Sequence, residues 1–236
     1  MIETVSTTGS TNADLLARLR AGERVPELHW LVAQRQTAGK GRQGREWFDG
    51  AGNFMGSTVI HRVESDPPAP TLALVAGLAV YEAVLPFCPD PSALRLKWPN
   101  DVLLGGAKLC GILLEAEQNA IVIGIGVNLA IAPDLPDRET VALSDVTASP
   151  NAEDFAQRLV TSFDREVERW RTFGLEPLIR RWTAAGTPEG TRVSVHEPDG
   201  TVSSGGFAGL DAHGNMRLRL EDGSVRAIHA GDVVLA

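Results

Sequence analysis

Leu94-Arg95-Leu96-Lys97-Trp98-Pro99-Asn100-Asp101-Val102-Leu103-Leu104-Gly105-Gly106-Ala107-Lys108-Leu109-Cys110-Gly111-Ile112-Leu113-Leu114-Glu115 reads as an extended segment folded once on itself. Two adjacent glycines between apolar runs mark a two-residue hairpin turn, which needs backbone angles that glycine reaches freely. With Gly105-Gly106 as the turn, Leu104 pairs with Ala107, Leu103 with Lys108 and Asp101 with Cys110. Side chains alternate faces along a strand, so Asp101, Leu103, Lys108 and Cys110 are expected on one face. Asp101 and Lys108 would then lie diagonally across the hairpin, with β-carbons roughly 7–8 Å apart and room for a reacting group between them. A surface ion pair across a hairpin fits the same pattern.

Upstream, Gly39-Lys40-Gly41-Arg42-Gln43-Gly44-Arg45-Glu46-Trp47 alternates glycines with cations and ends in an aromatic ring. Glycines let the backbone approach a ligand with free N–H groups, and interleaved Lys and Arg suit phosphate oxygens. The segment is expected to be a mobile loop that orders over a bound phosphorylated ligand as a lid. A polar surface loop is the plain alternative. Lysine occurs only at Lys40, Lys97 and Lys108, against 19 arginines, and all three fall in these two stretches. An ammonium is a compact point charge that a guanidinium does not replace.

Around these stretches the pattern is mixed α and β. Residues 2–8, Leu31–Gln36, Asn53–Ile60 and Ala120–Asn128 read as strands. The last carries Gly124 and Gly126, and glycine inside a strand often marks close approach of a ligand. Gly9-Ser10-Thr11-Asn12 leads into a helix over Ala13–Leu19, with Thr11 and Asp14 spaced as a capping box. Leu72–Leu85 reads as a buried helix, residues 130–150 as loop, and Asn151–Trp170 as an amphipathic helix ending at Gly174. A second short helix follows over Glu176–Trp182. From Thr187 onward, five short strands separated by Pro198-Asp199-Gly200, His213-Gly214-Asn215 and Asp222-Gly223 predict a small barrel. The expected division is a catalytic domain over 1–186 and the barrel over 187–236. His196, His213 and His229 lack metal-ligand spacing.

With 43% apolar and 22% charged residues the composition is that of an ordinary globular protein. The net charge of −8 argues against general binding to nucleic acid or an anionic membrane. No signal peptide is expected at the N-terminus, no apolar run long enough to span a membrane, and no disulfide framework from Cys88 and Cys110. These point to the cytoplasm.

The motifs Gly9-Ser10-Thr11-Asn12, Gln36-x-x-Gly39-Lys40-Gly41-Arg42-x-Gly44-Arg45-x-Trp47, Lys97-Trp98-Pro99-Asn100-Asp101, Lys108-Leu109-x-Gly111-Ile112-Leu113 and Gly124-x-Gly126-x-Asn128, in this order, resemble those of biotin protein ligases. The resemblance implies an α+β fold, a mixed sheet flanked by helices and followed by an SH3-like barrel. It implies activation of biotin by ATP with Mg²⁺ to biotinyl-AMP, then transfer to a lysine of a biotin carboxyl carrier protein. Lys108, Arg42 and Asp101 would be catalytic, with Asp101 orienting the acceptor lysine or helping it lose its proton. Ser10, Thr11, Gln36, Gly39, Lys40, Arg42, Gly111 and Leu113 would bind biotin. Lys40, Arg42, Arg45, Trp47, Asn100, Lys108 and Asn128 would hold ATP or the adenylate. Lys40 stands where the family commonly has Arg. With the first motif at residue 9, no DNA-binding domain is expected ahead of it, so DNA binding is not expected, nor is membrane binding; a homodimer is left open. A lipoate ligase or octanoyltransferase is the nearest alternative, and Cys110 beside Lys108 invites the latter, which uses no ATP. A nucleic-acid-binding module built on the loop and barrel is a more distant one.

Overall fold

The computed structural model describes residues 1–235. The chain runs β1 (Ile2–Val5), α1 (Thr11–Arg20), β2 (Trp30–Ala33), β3 (Phe54–His61), α2 (Leu72–Val84), β4 (Leu94–Lys97), β5 (Asp101–Leu104), β6 (Ala107–Glu117) and β7 (Ala120–Val127). Then come α3 (Ala152–Phe173), α4 (Leu175–Ala185), β8 (Arg192–His196), β9 (Val202–Leu210), β10 (Met216–Arg219), β11 (Val225–Ile228) and β12 (Asp232–Leu235).

Strands β1 to β7 form one mixed sheet in the order β1-β2-β3-β7-β6-β5-β4, parallel only between β1 and β2. Alternation along the strands gives it two apolar faces. On one, Leu31, Val59 and Val122 meet Leu15 and Leu16 of α1. On the other, Trp30, Ile60, Ile123 and Ile125 join the residues of α2, α3 and α4 in the main core. Trp30 meets the edge of Phe163 from α3 at a ring-centroid distance of 5.3 Å. The α3 stripe Phe155, Leu159, Phe163, Val167 and Trp170 is buried as its spacing requires. Asn151 caps this helix by accepting from the Asp154 amide at 2.8 Å, and Gly174, at φ 70°, ends it.

Three expectations need correction. The opening strand stops at Val5, and Thr8 reaches its neighbour only through an isolated bridge to Gln36. The capping box at Thr11 does not form: Ser10 is the N-cap, and Asp14 accepts instead from the Thr8 hydroxyl at 2.5 Å. Among the described residues one run, Ala69–Phe87, is long and apolar enough by length and composition to cross a membrane, contrary to the sequence reading. Only 13 of its residues form α-helix; these are α2, most of whose apolar residues lie buried between the sheet and α3.

The C-terminal strands form an antiparallel five-stranded sheet, β11-β10-β9-β8-β12, around Val195, Phe207, Met216, Leu218 and Ile228, as expected for an SH3-like barrel. It docks where the Trp98 indole donates to the Gly214 carbonyl at 3.1 Å and the Thr187 amide to the Leu96 carbonyl at 2.8 Å. At Gly214, with φ 82°, a β-carbon would come within 3.0 Å of Leu74, so a turn of this shape this close to α2 calls for glycine.

Candidate functional site

The central hairpin departs from its expected register, and the departure shapes the site. Leu104 faces Ala107 and Leu103 faces Lys108, but the register then shifts, with Val102 opposite Cys110 and Asp101 opposite Gly111. Leu109 is the extra residue, a bulge that turns the rest of β6 over. Cys110 therefore joins the apolar core, fully buried, while Gly111 takes the face of Asp101 and Lys108. Burial pushes the Cys110 thiol far above its usual range.

Across the next pairing, Gly111 faces Gly126 and Leu113 faces Gly124, which makes a floor almost without side chains. A β-carbon on Gly126 would lie 2.2 Å from the Trp47 ring, and one on Gly111 would lie 2.8 Å from it. A β-carbon on Gly124 would lie 2.4 Å from the Asn12 amide oxygen. Glycine is required at these places for space rather than for backbone angle.

At the Asn12 end lies a continuous buried polar chain. The Gln36 amide oxygen accepts from the Thr11 backbone at 2.7 Å and from its hydroxyl at 3.1 Å. That hydroxyl meets Ser57 at 2.6 Å, Ser57 donates to Asn12 at 2.5 Å, and Asn12 donates to Glu115 at 2.8 Å. Ser10 caps α1 beside this chain and Leu113 lines the same wall.

At the Trp47 end are the charges. Asp101 is 8% exposed, and its two oxygens take Lys108 at 2.6 Å and Lys97 at 2.9 Å. The expected gap between Asp101 and Lys108 is thus closed by a direct ion pair, because both side chains lean into the same pocket. Burial raises the Asp101 carboxyl, but the two ammonium groups outweigh it and hold it below the ordinary range. The Lys108 ammonium also lies 6.0 Å from the Trp47 ring centroid, a cation–π distance.

The cationic loop closes over this floor. Its turn is held by the Gly41 amide on the Arg45 carbonyl at 2.7 Å and the Trp47 amide on the Gly39 carbonyl at 2.9 Å. Gln43 and Gly44 take positive φ at its tip. Arg42 donates to Asn100 at 3.2 Å and to the Gly231 carbonyl at 3.3 Å. Burial pulls the Arg42 guanidinium down, with Asp101 opposing; Arg45 is pulled down by burial and by the nearby Arg138 and Arg42. Lys40 stays exposed on the wall. Asn128 is buried and donates to Val141 at 3.3 Å, while its amide oxygen and the Trp47 ring N–H have no partner among the described residues. Buried polar atoms of this kind are places for a ligand to pair.

The cavity between floor and loop measures about 1300 Å³. Of the residues singled out in the sequence, Ser10, Thr11, Gln36, Lys40, Arg42, Arg45, Trp47, Asn100, Asp101, Lys108, Gly111, Leu113 and Asn128 all line it. Gly39 does not: it lies buried behind Trp47 and the Gln36 amide, where a β-carbon would come within 3.3 Å of both.

Residues 7–129 match the Biotin/lipoate A/B protein ligase family, and residues 190–236 match the biotin protein ligase C-terminal domain. The chain belongs to the biotin/lipoate A/B protein ligase family. It is 38% identical to the biotin--[acetyl-CoA-carboxylase] ligase of Mycobacterium tuberculosis, over 99% of this chain and 88% of that one. It is also 38% identical to the ligase of the same name from Paracoccus denitrificans, over 90% and 91%. In fold it superposes on the biotin protein ligase of Aquifex aeolicus in complex with biotin and ATP, with a TM-score of 0.87 at 24% identity, covering 100% and 98% of the two chains.

Within this family member the sequence reading gave no role to Asn12, Ser57, Lys97, Glu115, Arg138 and Asp232, all at or beside the cavity. Asn12 adjoins Ser10-Thr11, and Lys97 is one of three lysines, so both carried a signal. Glu115 falls on the site face only in the bulged register. Ser57, followed by Thr58 in β3, and Asp232, at the start of β12, are ordinary polar residues of strands, with nothing local to mark them.

Proposed function

We propose that this chain is an ATP-dependent biotin protein ligase that activates biotin as biotinyl-AMP and passes it to a lysine of the carrier protein of acetyl-CoA carboxylase. The observation that carries this is the join of two unlike sites on one glycine floor. A buried amide–hydroxyl chain suited to a neutral polar ring system lies at one end, and Lys108 with Arg42 and Trp47 lies at the other.

In the first step a carboxylate oxygen of biotin bonds to the α-phosphorus of ATP and pyrophosphate leaves. In the second, an amine nitrogen bonds to the acyl carbon and AMP leaves, with one proton lost from nitrogen. Negative charge grows on oxygen in both steps, and fixed cations in a sheltered cavity stabilise it most. Lys108, anchored on β6 by Asp101, is the group that does this in both. Arg42, with five N–H donors, binds phosphate oxygens, as do Arg45 and Lys40 at the rim. Asp101, held as a weakly basic anion between two ammonium groups, orients the incoming amine rather than deprotonating it. The free Asn128 oxygen accepts from the adenine amino group, and Trp47 covers the adenylate.

Magnesium enters as part of the nucleotide substrate, whose phosphates supply oxygen ligands. Among the described residues no cluster of three or more His, Cys, Asp or Glu side chains is placed to hold a metal. A cytoplasmic setting fits two buried free cysteines, and the net charge of −8 weighs against a nucleic-acid ligand. Cysteine-based octanoyl transfer is disfavoured because Cys110 lies in the core, turned away from the cavity. The test is to incubate the protein with MgATP and biotin, lipoate or octanoate. Pyrophosphate release driven by biotin is expected, and release driven only by another acid refutes the assignment.

A further inference from the structure

The cationic loop is gripped from the other sheet. Asp232, at the start of β12, stands 187 positions beyond Arg45, yet its carboxylate accepts from the Arg45 guanidinium. Its other oxygen lies 3.4 Å from Arg42, and the neighbouring Gly231 carbonyl takes both terminal nitrogens of Arg42. Arg42, Arg45 and Arg138 are like charges crowded on one rim, offset in part by Asp137, which pairs with Arg138, and by Asp101. Three glycines and few internal hydrogen bonds give the loop little stiffness of its own. An external counter-charge is what the geometry supplies. Asp232 and Arg42 are each about a quarter exposed, so solvent screens their attraction less than it would a surface pair.

We propose that Asp232 is a latch: a positioning residue on the C-terminal sheet that holds the arginine loop, and with it Trp47, closed over the glycine floor. Its chemical consequence rests on the ligase assignment: a closed loop keeps the acyl-phosphate from water and from stray amines until the acceptor lysine arrives. A guanidinium has donors enough to serve the latch and a phosphate at once.

The test compares the full chain with Asp232→Asn, Asp232→Glu, Arg45→Gln and the swap Asp232→Arg with Arg45→Asp. In the protein alone, amide exchange across residues 39–47 should quicken about twofold to fivefold in Asp232→Asn and in Arg45→Gln, the span of a partly exposed ion pair. It should return toward the wild-type rate in Asp232→Glu and in the swap. With MgATP and biotin, Asp232→Asn should label a bystander protein more per pyrophosphate released. Wild-type exchange in both Asp232→Asn and Arg45→Gln overturns the latch, as does a swap that restores nothing, which would assign Asp232 to the barrel's own fold. If the wild-type protein releases no biotin-dependent pyrophosphate, the ligase assignment falls, while the exchange rates still decide the latch.

Discussion

At the scale of single residues, two glycines on one strand divide the cavity between two ligands. Gly124 leaves room for Asn12 and the buried amide–hydroxyl chain; Gly126, two residues on, leaves room for Trp47. An added methyl at Gly124 displaces a short, hydrogen-bonded side chain, whereas one at Gly126 displaces the indole of a loop. Gly124→Ala should therefore raise KM for biotin and spare that for ATP, while Gly126→Ala should do the reverse. Each should cost up to about a hundredfold in kcat/KM, as a misplacement of about 1 Å in a fitted site does; steady-state kinetics with each substrate varied in turn would show both variants alike if the division is wrong. Lys108→Met keeps the aliphatic stem but removes the charge, and kcat should fall roughly 10²–10³-fold, the usual cost of losing one fixed donor to a developing oxyanion. Single-turnover measurement should find both half-reactions slowed; a loss in only one would confine Lys108 to that step. The residues legible in the sequence were those set in runs of unusual composition, such as Lys108 and Arg42. Ser57 and Glu115 are ordinary members of strands, and only the assembled sheet brings them to Asn12.

At the scale of elements, most helices and strands fall within a few residues of where hydrophobic period and turn residues put them. The β5–β6 hairpin is the instructive exception. Its turn was legible because Gly105-Gly106 is a local signal, but the bulge at Leu109 is not local. It lets Leu109 and Cys110 both enter the core while Gly111 meets Gly126 of β7, a demand set by neighbours distant in sequence. Closure of the arginine loop is expected from its composition, but what holds it is not legible, since its partners Asn100, Gly231 and Asp232 come from two other parts of the chain. Arg42→Gly tests the loop as an element: it removes the bonds to Asn100 and Gly231 and frees one more hinge. Biotin-dependent pyrophosphate formation should persist while activated biotin escapes, read as rising incorporation into an unrelated protein added to the assay. Bystander labelling no higher than wild type would remove the loop from adenylate retention.

At the scale of the whole molecule, charged side chains tie together elements that apolar packing alone leaves adjacent. Glu3 on β1 takes two bonds from Arg18 of α1 at 2.7 Å and faces His29, which precedes β2, at 3.0 Å. Arg171, on α3, reaches Glu27 and Asp66, so one guanidinium joins three segments around the C-terminal end of β3. Hydrogen bonding from Arg18, with His29 in support and burial opposing, lowers the Glu3 carboxyl from its ordinary 4.5 to about 2; Arg171 lowers Glu27 in the same way. A carboxyl whose pKa is depressed by folding stabilises the fold above its unfolded value and loses that contribution as pH falls through the folded one. Stability should therefore be level near neutrality and decline as pH drops from about 4.5 toward 2. Glu3→Gln removes one titrating group from that window. Its melting temperature should lie below wild type at pH 7, and the gap should hold down to about pH 4.5, narrow below it and close below about pH 2. Melting curves that stay parallel from pH 7 to pH 3 would show that Glu3 carries no linkage, and that the β1–α1 seam is held by Leu15, Leu16 and Leu31 without it.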